Sequence, residues 1–115
     1  MKVIIAGSRS ITEYREVVRV IAEAGMDITE VVSGTCNGPD KLGEQWAEEH
    51  NVPVKRFPAQ WETHKRRAGF IRNSIMAKYA DGLIALWDGQ SHGTSHMIDV
   101  AQKAGLTVYV KHIGV

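Results

Sequence analysis

Cysteine and long apolar runs are scarce in this sequence of 115 residues, and each scarcity narrows what the chain can be. The single cysteine, Cys36, has no second cysteine with which to form a disulfide, which is typical of proteins in a reducing cytoplasm. The N-terminal segment MKVIIAGSRS contains only a four-residue apolar run, too short for a signal peptide or a membrane span. We therefore expect a cytoplasmic protein without a membrane partner.

Net charge is also nearly absent. Fourteen Lys and Arg residues against thirteen Asp and Glu residues leave a formal net charge of +1. The charge of the whole chain therefore gives no electrostatic reason to expect binding to nucleic acid or to an anionic membrane.

Several well-known site motifs are missing. There is no G-x-G-x-x-G after the first apolar run and no G-x-x-x-x-G-K-[ST] anywhere, which excludes a standard dinucleotide site and a Walker-type NTPase. The chain also lacks H-E-x-x-H and any cysteine pair. The glycine between His92 and His96 argues against one helix presenting both imidazoles to a metal. We predict neither a metal nor a cofactor.

The chain does contain five short apolar runs that alternate with segments of helical periodicity. These runs predict strands over 3–6, 31–32, 52–57, 83–87 and 106–110. A capping box formed by Ser10 and Glu13 predicts the start of the first helix, the third helix is predicted over 61–79, and 111–115 is expected to fray. The alternation predicts one α/β domain over 1–115, with a parallel sheet and helices on both faces.

Glycine and polar residues follow three of the predicted strands. Gly7, Ser8 and Arg9 come after the first strand, where the backbone can approach a ligand and Arg9 can pair with a phosphate or carboxylate. An ordinary turn with a solvated Arg9 is the alternative. Because ligands bind beyond the carboxyl ends of parallel strands, we favour the ligand.

The second strand ends at Ser33 and Gly34 and is followed by Gly38 and Asp40. Backbone N–H groups, a hydroxyl and a carboxylate are thus available there. Asp40 either accepts hydrogen bonds from ribose hydroxyls or interacts only with a helix dipole.

The stretch Asp81–Thr94 reads DGLIALWDGQSHGT and runs from the fourth strand into a helix. The strand ends in Trp87 and Asp88, and Gly93 and Thr94 open the helix. A helix N-terminus presents free N–H groups and a positive dipole end, so this stretch is a candidate anion site. If the three strands are neighbours, their loops meet at one ligand.

The predicted third helix carries further candidates. Arg66, Gly69 and Asn73 fall on one face, although the basic run 65–67 to which Arg66 belongs is better explained as a solvated surface. Arg72 lies beside that face among apolar positions, where a charge is costly unless it is partnered. We therefore predict that Arg72 faces the pocket. Trp61 or Trp87 can stack on a base, although Trp87 is equally compatible with the core.

Four segments in order resemble the SLOG superfamily, and within it the YspA-like branch. They are AGSR at 6–9, SGTCNGPD at 33–40, RAGFIRNSIMA at 67–77 and ADGLIALWDGQSHGT at 80–94. The resemblance implies a Rossmann-like three-layer sandwich that binds a nucleotide or a nucleotide-derived small molecule. It also implies a homodimer, because relatives often pair through helices.

The Lonely Guy phosphoribohydrolases, distant relatives, cleave a base from a nucleoside monophosphate. By position Arg72 resembles their helical Arg, and Gly93-Thr94 resembles the Gly-Thr of their Pro-Gly-Gly-x-Gly-Thr-x-x-Glu segment. His96 and Met97 stand where acidic residues follow in that family, which puts hydrolysis in doubt. Arg72 and Asp88 remain the candidate catalytic residues, Asp88 as a possible substitute carboxylate.

The resemblance leaves three functions open. The first, which we favour, is a sensor or sequestering protein that binds the nucleotide ligand without turnover. The second is an N-glycosidase or phosphoribohydrolase. The third is single-stranded nucleic-acid binding, which is known among SLOG relatives that process DNA and which the near-zero net charge weakens.

Overall fold

A computed structural model describes residues 1–114 and contains one five-stranded parallel sheet with the strand order β3-β2-β1-β4-β5. The strands are β1 (Lys2–Gly7), β2 (Glu30–Ser33), β3 (Val54–Arg56), β4 (Gly82–Trp87) and β5 (Thr107–His112). The helices are α1 (Tyr14–Ala24), α2 (Pro39–Glu49), α3 (Trp61–His64), α4 (Ala68–Tyr79) and α5 (His92–Lys103).

Helices cover both faces of the sheet, and each face has its own apolar cluster. On one face, Val17 and Val20 of α1 and Ala47 of α2 pack against alternate residues of β1, β2 and β4. On the other face, Met76 of α4 and Met97 of α5 pack against the intervening residues of the same strands. The predicted three-layer, Rossmann-like α/β fold is therefore confirmed.

The position of β1 is what brings the candidate loops together. It pairs with β2 on one side and with β4 on the other, all in parallel. The chain runs outwards from β1 in both directions along the sheet, so a crevice opens at its carboxyl end, where such sheets bind ligands. The condition for a shared site, that strands one, two and four are neighbours, is met.

The predicted helix over 61–79 is broken. The structure has the short helix α3, then a 3₁₀ turn over Lys65–Arg67, then α4, and Lys65 has a φ of 55°. No residue of α3 or of the 3₁₀ turn is buried. Helices in proteins depend largely on burying an apolar face, so the polar run 62–67 has nothing to hold it in line with α4.

Two terminal predictions also differ from the structure. Helix α1 begins at Tyr14 with Glu13 as its N-cap residue and has no side-chain cap, so Ser10 lies outside the helix end, where its hydroxyl donates to Asp88 Oδ2 (3.2 Å). The capping box is therefore wrong. Lys111 and His112 belong to β5 rather than to a frayed tail, and Val115 lies outside the described residues.

Candidate ligand-binding site

A cavity of about 190 Å³ lies at the carboxyl end of β1, between the starts of α2, α4 and α5. We call it the first cavity. Its walls combine the ends of strands, loops and helices that are distant in sequence. It is lined by Ala6, Gly7, Arg9, Cys36, Asp40, Trp61, Arg66, Gly69, Phe70, Arg72, Asn73, Met76, Ser91, Gly93, Thr94 and Met97.

A second cavity of about 200 Å³ adjoins the first. The two share Arg9, Cys36, Trp61 and Arg72. The residues that line the second cavity alone come from the loop after β2 and from the segment before α3, namely Gly34, Thr35, Asn37 and Ala59. The shared residues therefore form a common wall with space on either side.

Arg72 is held from several directions. Its Nη1 donates to the carbonyl oxygens of Gly34 and, at 3.5 Å, of Phe57, and its Nε donates to Asn73 Oδ1 at 3.0 Å. Among residues 1–114, the only hydrogen-bond partner of its Nη2 is the Cys36 sulfur, at 3.7 Å. These bonds hold the half-buried guanidinium group of Arg72 in the common wall. A cation fixed in this way is suited to pair with an anion.

Arg9 approaches the same sulfur from the loop after β1. Its Nη2 lies 4.0 Å from Cys36 Sγ, and Arg9 forms no ion pair with any residue from 1 to 114. A thiol is a weak acceptor, so two guanidinium groups converge on the common wall with N–H groups that lack a strong acceptor. A phosphate or carboxylate would provide one.

Asp40, at the start of α2, is a buried carboxyl group on the wall of the first cavity. Burial raises its pKa from 3.8 to about 6. The charge of Arg72 and the backbone N–H groups of Cys36 and Gly7 oppose this shift, while Glu44 adds to it. The Cys36 N–H donates to Asp40 Oδ2 at 3.3 Å. Asp40 is therefore a proton donor or acceptor near neutral pH.

Gly34 allows Asp40 and Arg72 to approach the same point. A Cβ atom at Gly34 would lie 2.7 Å from both Arg72 Nη1 and Asp40 Oδ2, closer than such atoms can come. Gly7 has a different reason, since its Cβ would lie 2.3 Å from the Leu86 carbonyl oxygen. Gly7, the last residue of β1, thus allows close packing of β1 against β4, and Gly34, the first residue after β2, lets Asp40 and Arg72 meet at the site.

The N-terminus of α5 forms the opposite wall. Ser91 caps the helix, and its side chain accepts from the Thr94 N–H at 3.4 Å. The first N–H groups of a helix have no carbonyl one turn earlier, and the helix dipole places partial positive charge there. No atom lies within 4 Å of a Cβ built at Gly93, so this end of the helix opens into free space.

Asn73 connects the two walls that α4 and α5 provide. It is buried, and its Nδ2 donates to the Gly93 carbonyl oxygen at 3.2 Å and lies 3.2 Å from His96 Nδ1. Its Oδ1 accepts from Arg72 Nε. Burial lowers the pKa of His96, which favours the neutral ring. Asn73 therefore fixes Arg72 relative to the start of α5.

Asp88 lies outside both cavities. Its Oδ1 accepts from the backbone N–H groups of Gln90 and Ser91, both at 2.8 Å, and the same bonds lower its pKa to about 2. The Asp88 N–H in turn donates to the Ser8 hydroxyl at 3.0 Å. The Asp88 carboxylate thus connects the loop after β1 to the turn that starts α5.

Ten of the fifteen predicted binding residues line a cavity. They are Gly7, Arg9, Gly34, Asp40, Trp61, Gly69, Arg72, Asn73, Gly93 and Thr94. The other five line neither cavity, and they are Ser8, Ser33, Gly38, Trp87 and Asp88.

Three of these outer residues have clear structural roles. The Ser33 hydroxyl donates to Glu44 Oε2 at 2.6 Å, and Gly38 has a φ of 87° just before α2. Trp87 Nε1 donates to the Ser91 carbonyl oxygen at 3.1 Å. Of the two candidate tryptophans, only Trp61 lines the cavities, and it is 53% exposed.

Cavity residues that the sequence reasoning did not select include Arg66, Phe70 and Ser91. Arg66 lies on the same helical face as Gly69 and Asn73, and this spacing was the available signal. Its place in the basic run 65–67 argued instead for a solvated side chain. Ser91 precedes Gly93 and Thr94 as a typical N-cap residue, and that signal was available as well. The Phe70 ring stacks on His96 with centroids 4.2 Å apart, which no sequence pattern shows.

Residues 1–114 contain neither a cluster of metal ligands nor a membrane-spanning helix. No group of three or more His, Cys, Asp or Glu side chains is arranged to hold a metal ion there. In the same residues no helix is long and apolar enough to cross a membrane.

The fold of this chain is similar to that of a solved bacterial protein. DNA processing protein A (DprA) from Streptococcus pneumoniae superposes with a TM-score of 0.77 at 18% identity. The match covers 95% of this chain and 49% of that one, so the chain spans about half the length of DprA. At this identity the likeness supports the fold alone.

Two comparisons of sequence identify the family. Gene 61 protein of Mycobacterium phage D29 is 39% identical over 84 residues, which cover 68% of this chain and 67% of the phage protein. The model of the YspA, cpYpsA-related SLOG family matches residues 1–64. The segments 6–9 and 33–40, which carried part of the resemblance, lie inside that match. The chain therefore belongs to the YspA, cpYpsA-related SLOG family.

Proposed function

We propose that this chain binds a nucleotide or nucleotide-derived small molecule in the first cavity, as a sensor or sequestering protein. The observation that carries the proposal is the convergence of Arg9, Arg72 and the N-terminus of α5 on one cavity. All three favour an anion, and they come from three separate parts of the chain. Trp61, exposed beside the guanidinium groups, offers a ring on which a base can stack.

Titration calorimetry with AMP tests this proposal. Arg9→Ala or Arg72→Ala removes charge-assisted hydrogen bonds of about 1.5–3 kcal/mol, so each should weaken AMP binding by roughly ten- to a hundred-fold. Arg15→Ala, which removes an exposed arginine of α1 outside both cavities, is the matched control and should bind AMP like the parent. AMP binding no tighter than adenosine binding would contradict phosphate recognition.

A base-releasing hydrolase is the second candidate, and Asp40 favours it. A carboxyl group with a pKa of about 6 on the cavity wall, near the Arg72 charge, is the kind of group that stabilises a cation-like transition state. We assign Arg72 to the phosphate. We assign Asp88 to holding the loop, because its carboxylate accepts backbone bonds outside the cavity.

Chromatography of nucleoside monophosphates after incubation separates the sensor from the hydrolase. If the chain is a hydrolase, base release should rise as pH increases through about 6, because Asp40 acts as the carboxylate. Asp40→Asn should abolish release and Asp88→Asn should retain part of it. Ligand-dependent thermal stabilisation without any base release supports the sensor.

Local charge favours the third candidate, single-stranded nucleic acid, more than net charge does. Residues 55–78 contain seven Lys and Arg residues and one acidic residue, Glu62. DprA, whose name refers to DNA processing, shares the fold. Binding of an oligothymidylate whose affinity falls steeply with salt, about 0.7 log units per log unit of salt for each phosphate contacted, would support this alternative.

A homodimer through α4 remains part of the proposal. Ile75 is 49% exposed on this helix, and a partner helix packed there would remove this large apolar side chain from water. Ile75→Lys should convert a dimer to a monomer in size-exclusion chromatography with light scattering, while Lys78→Ala should not.

A further inference from the structure

The common wall between the two cavities has a consequence for the ligand's size. Ligand pockets in proteins usually enclose about 300–1,000 Å³. The first cavity, at about 190 Å³, and the second, at about 200 Å³, each fall below that range, while the two together reach it. Four residues line both, so the two cavities lie side by side and one molecule could extend from one into the other.

The common wall is also where the positive charge lies. Arg9 Nη2 and Arg72 Nη2 both point at Cys36 Sγ, at 4.0 and 3.7 Å. An anion at this wall would therefore sit between the two cavities rather than at the far end of either one. A terminal phosphate uses space on only one side of such a position, whereas a phosphate that links two groups uses both sides.

The chemistry of the two cavities differs in a way that fits two unlike groups. The first cavity has Asp40, Asn73 and the start of α5 beside the apolar Met76 and Met97. The second is lined by the polar loop residues Thr35 and Asn37 together with Ala59. Trp61 lines both and is exposed, so its ring can cover the ligand where it passes from one cavity to the other.

We infer that the ligand of this site consists of two ring-containing groups joined through phosphate, with the phosphate at the common wall, where it accepts from Arg9 and Arg72, and one group in each cavity. This inference rests on the proposed binding function and narrows its ligand class. Two sources have this chemistry: a dinucleotide joined by a phosphodiester, and a nucleoside diphosphate that carries a second sugar.

Calorimetry with four probes tests the inference. Adenosine and AMP represent one half of the ligand, and adenylyl-adenosine and ADP-ribose represent the two linked classes. We expect at least one linked probe to bind ten-fold or more tighter than AMP, and the tighter of the two identifies the source. Equal affinities for AMP and both linked probes would overturn the inference and leave the proposed function intact.

Variants that fill one cavity at a time locate the two groups. Ala59→Leu and Asn37→Leu change residues that line only the second cavity, so each should remove the advantage of the linked probe and leave AMP affinity within about two-fold. Two such variants guard against misfolding of one, which circular dichroism and thermal melting would detect. Gly69→Leu fills the first cavity and should weaken AMP and linked probes alike.

The outcomes are distinguishable. Retention of the linked-probe advantage in folded Ala59→Leu and Asn37→Leu would show that the second cavity is not used, which overturns the inference alone. Failure of all four probes to bind would overturn the inference together with the proposed nucleotide-binding function.

Discussion

Replacement of Asp40 by asparagine gives a quantitative test of the electrostatics at this site. Burial raises the pKa of Asp40 from 3.8 to about 6, so the folded protein keeps a proton that the unfolded chain has already released between these pH values. Each pKa unit corresponds to 1.36 kcal/mol, so ionised Asp40 lowers the free energy of unfolding by roughly 3 kcal/mol. The free energy of unfolding therefore falls as pH rises from about 4 to about 6, and ionisation of Asp40 lowers it no further above that.

Urea unfolding at pH 4 and at pH 7.5 measures this effect. Asparagine cannot ionise, so Asp40→Asn should gain roughly 3 kcal/mol relative to the parent between the two pH values. The amide also loses one acceptor oxygen, but that loss is the same at both pH values and cancels in the difference. Exposed Asp27, replaced by asparagine, is the matched control and should leave the pH dependence of the parent unchanged.

Parallel pH dependence of the unfolding free energy in the parent and in Asp40→Asn would refute the reasoning. It would mean that Arg72 and the N–H groups of Cys36 and Gly7 compensate fully for burial of the carboxylate. The same measurement across pH with ligand present extends the test, because an anion that pairs with Arg72 offsets the positive charge that lowers the pKa of Asp40 and should shift the transition to higher pH.

Three further predictions concern the residues that hold the site together. Gly34→Ala should lower the free energy of unfolding by about 1–3 kcal/mol in urea titrations and weaken AMP binding, since its Cβ collides with Arg72 and Asp40. Gly69→Ala, whose Cβ meets only ordinary contacts, is the control for stability and should leave the free energy of unfolding unchanged. Asn73→Ala should cost about 1–3 kcal/mol by the same assay, because it leaves the half-buried Arg72 Nε and the Gly93 carbonyl without their partner. Asp88→Asn should lower the melting temperature at pH 7, and the difference from the parent should disappear as pH falls from about 4 towards 2, since the depressed pKa stabilises the fold only while the carboxylate is ionised.

The periodicity of apolar residues and the positions of glycine and polar residues between the runs were enough to predict the architecture. Apolar runs ending in Gly7, Gly34 and Asp88 predicted parallel strands whose ends face a ligand, and the strand order confirms that β1 lies between β2 and β4. Arg72 could be found because a charge among apolar helix positions needs a partner. Its partners, the Gly34 and Phe57 carbonyls, are 38 and 15 residues away, so sequence could not name them.

The local errors share one cause, which is competition from contacts that are distant in sequence. Ser10 looked like a helix cap, but it lies outside the helix end, and its hydroxyl donates to Asp88, 78 residues away. Asp88 in turn looked like a free carboxylate at a strand end, but the turn that follows it supplies two N–H donors. The run 62–67 had the composition of a helix face, and nothing in the fold covers it.

By itself, the sequence of this protein determined the layers, the parallel strands and most of the residues that line the candidate site, because hydrophobic burial and strand-end geometry act through local spacing. Only the tertiary structure decided which side chains face the cavities and with what charge. It placed Cys36 between two guanidinium groups, buried Asp40 beside Arg72 and turned Asp88 away. Desolvation and Coulomb interactions depend on distances in space, and these are set only when the whole chain has packed.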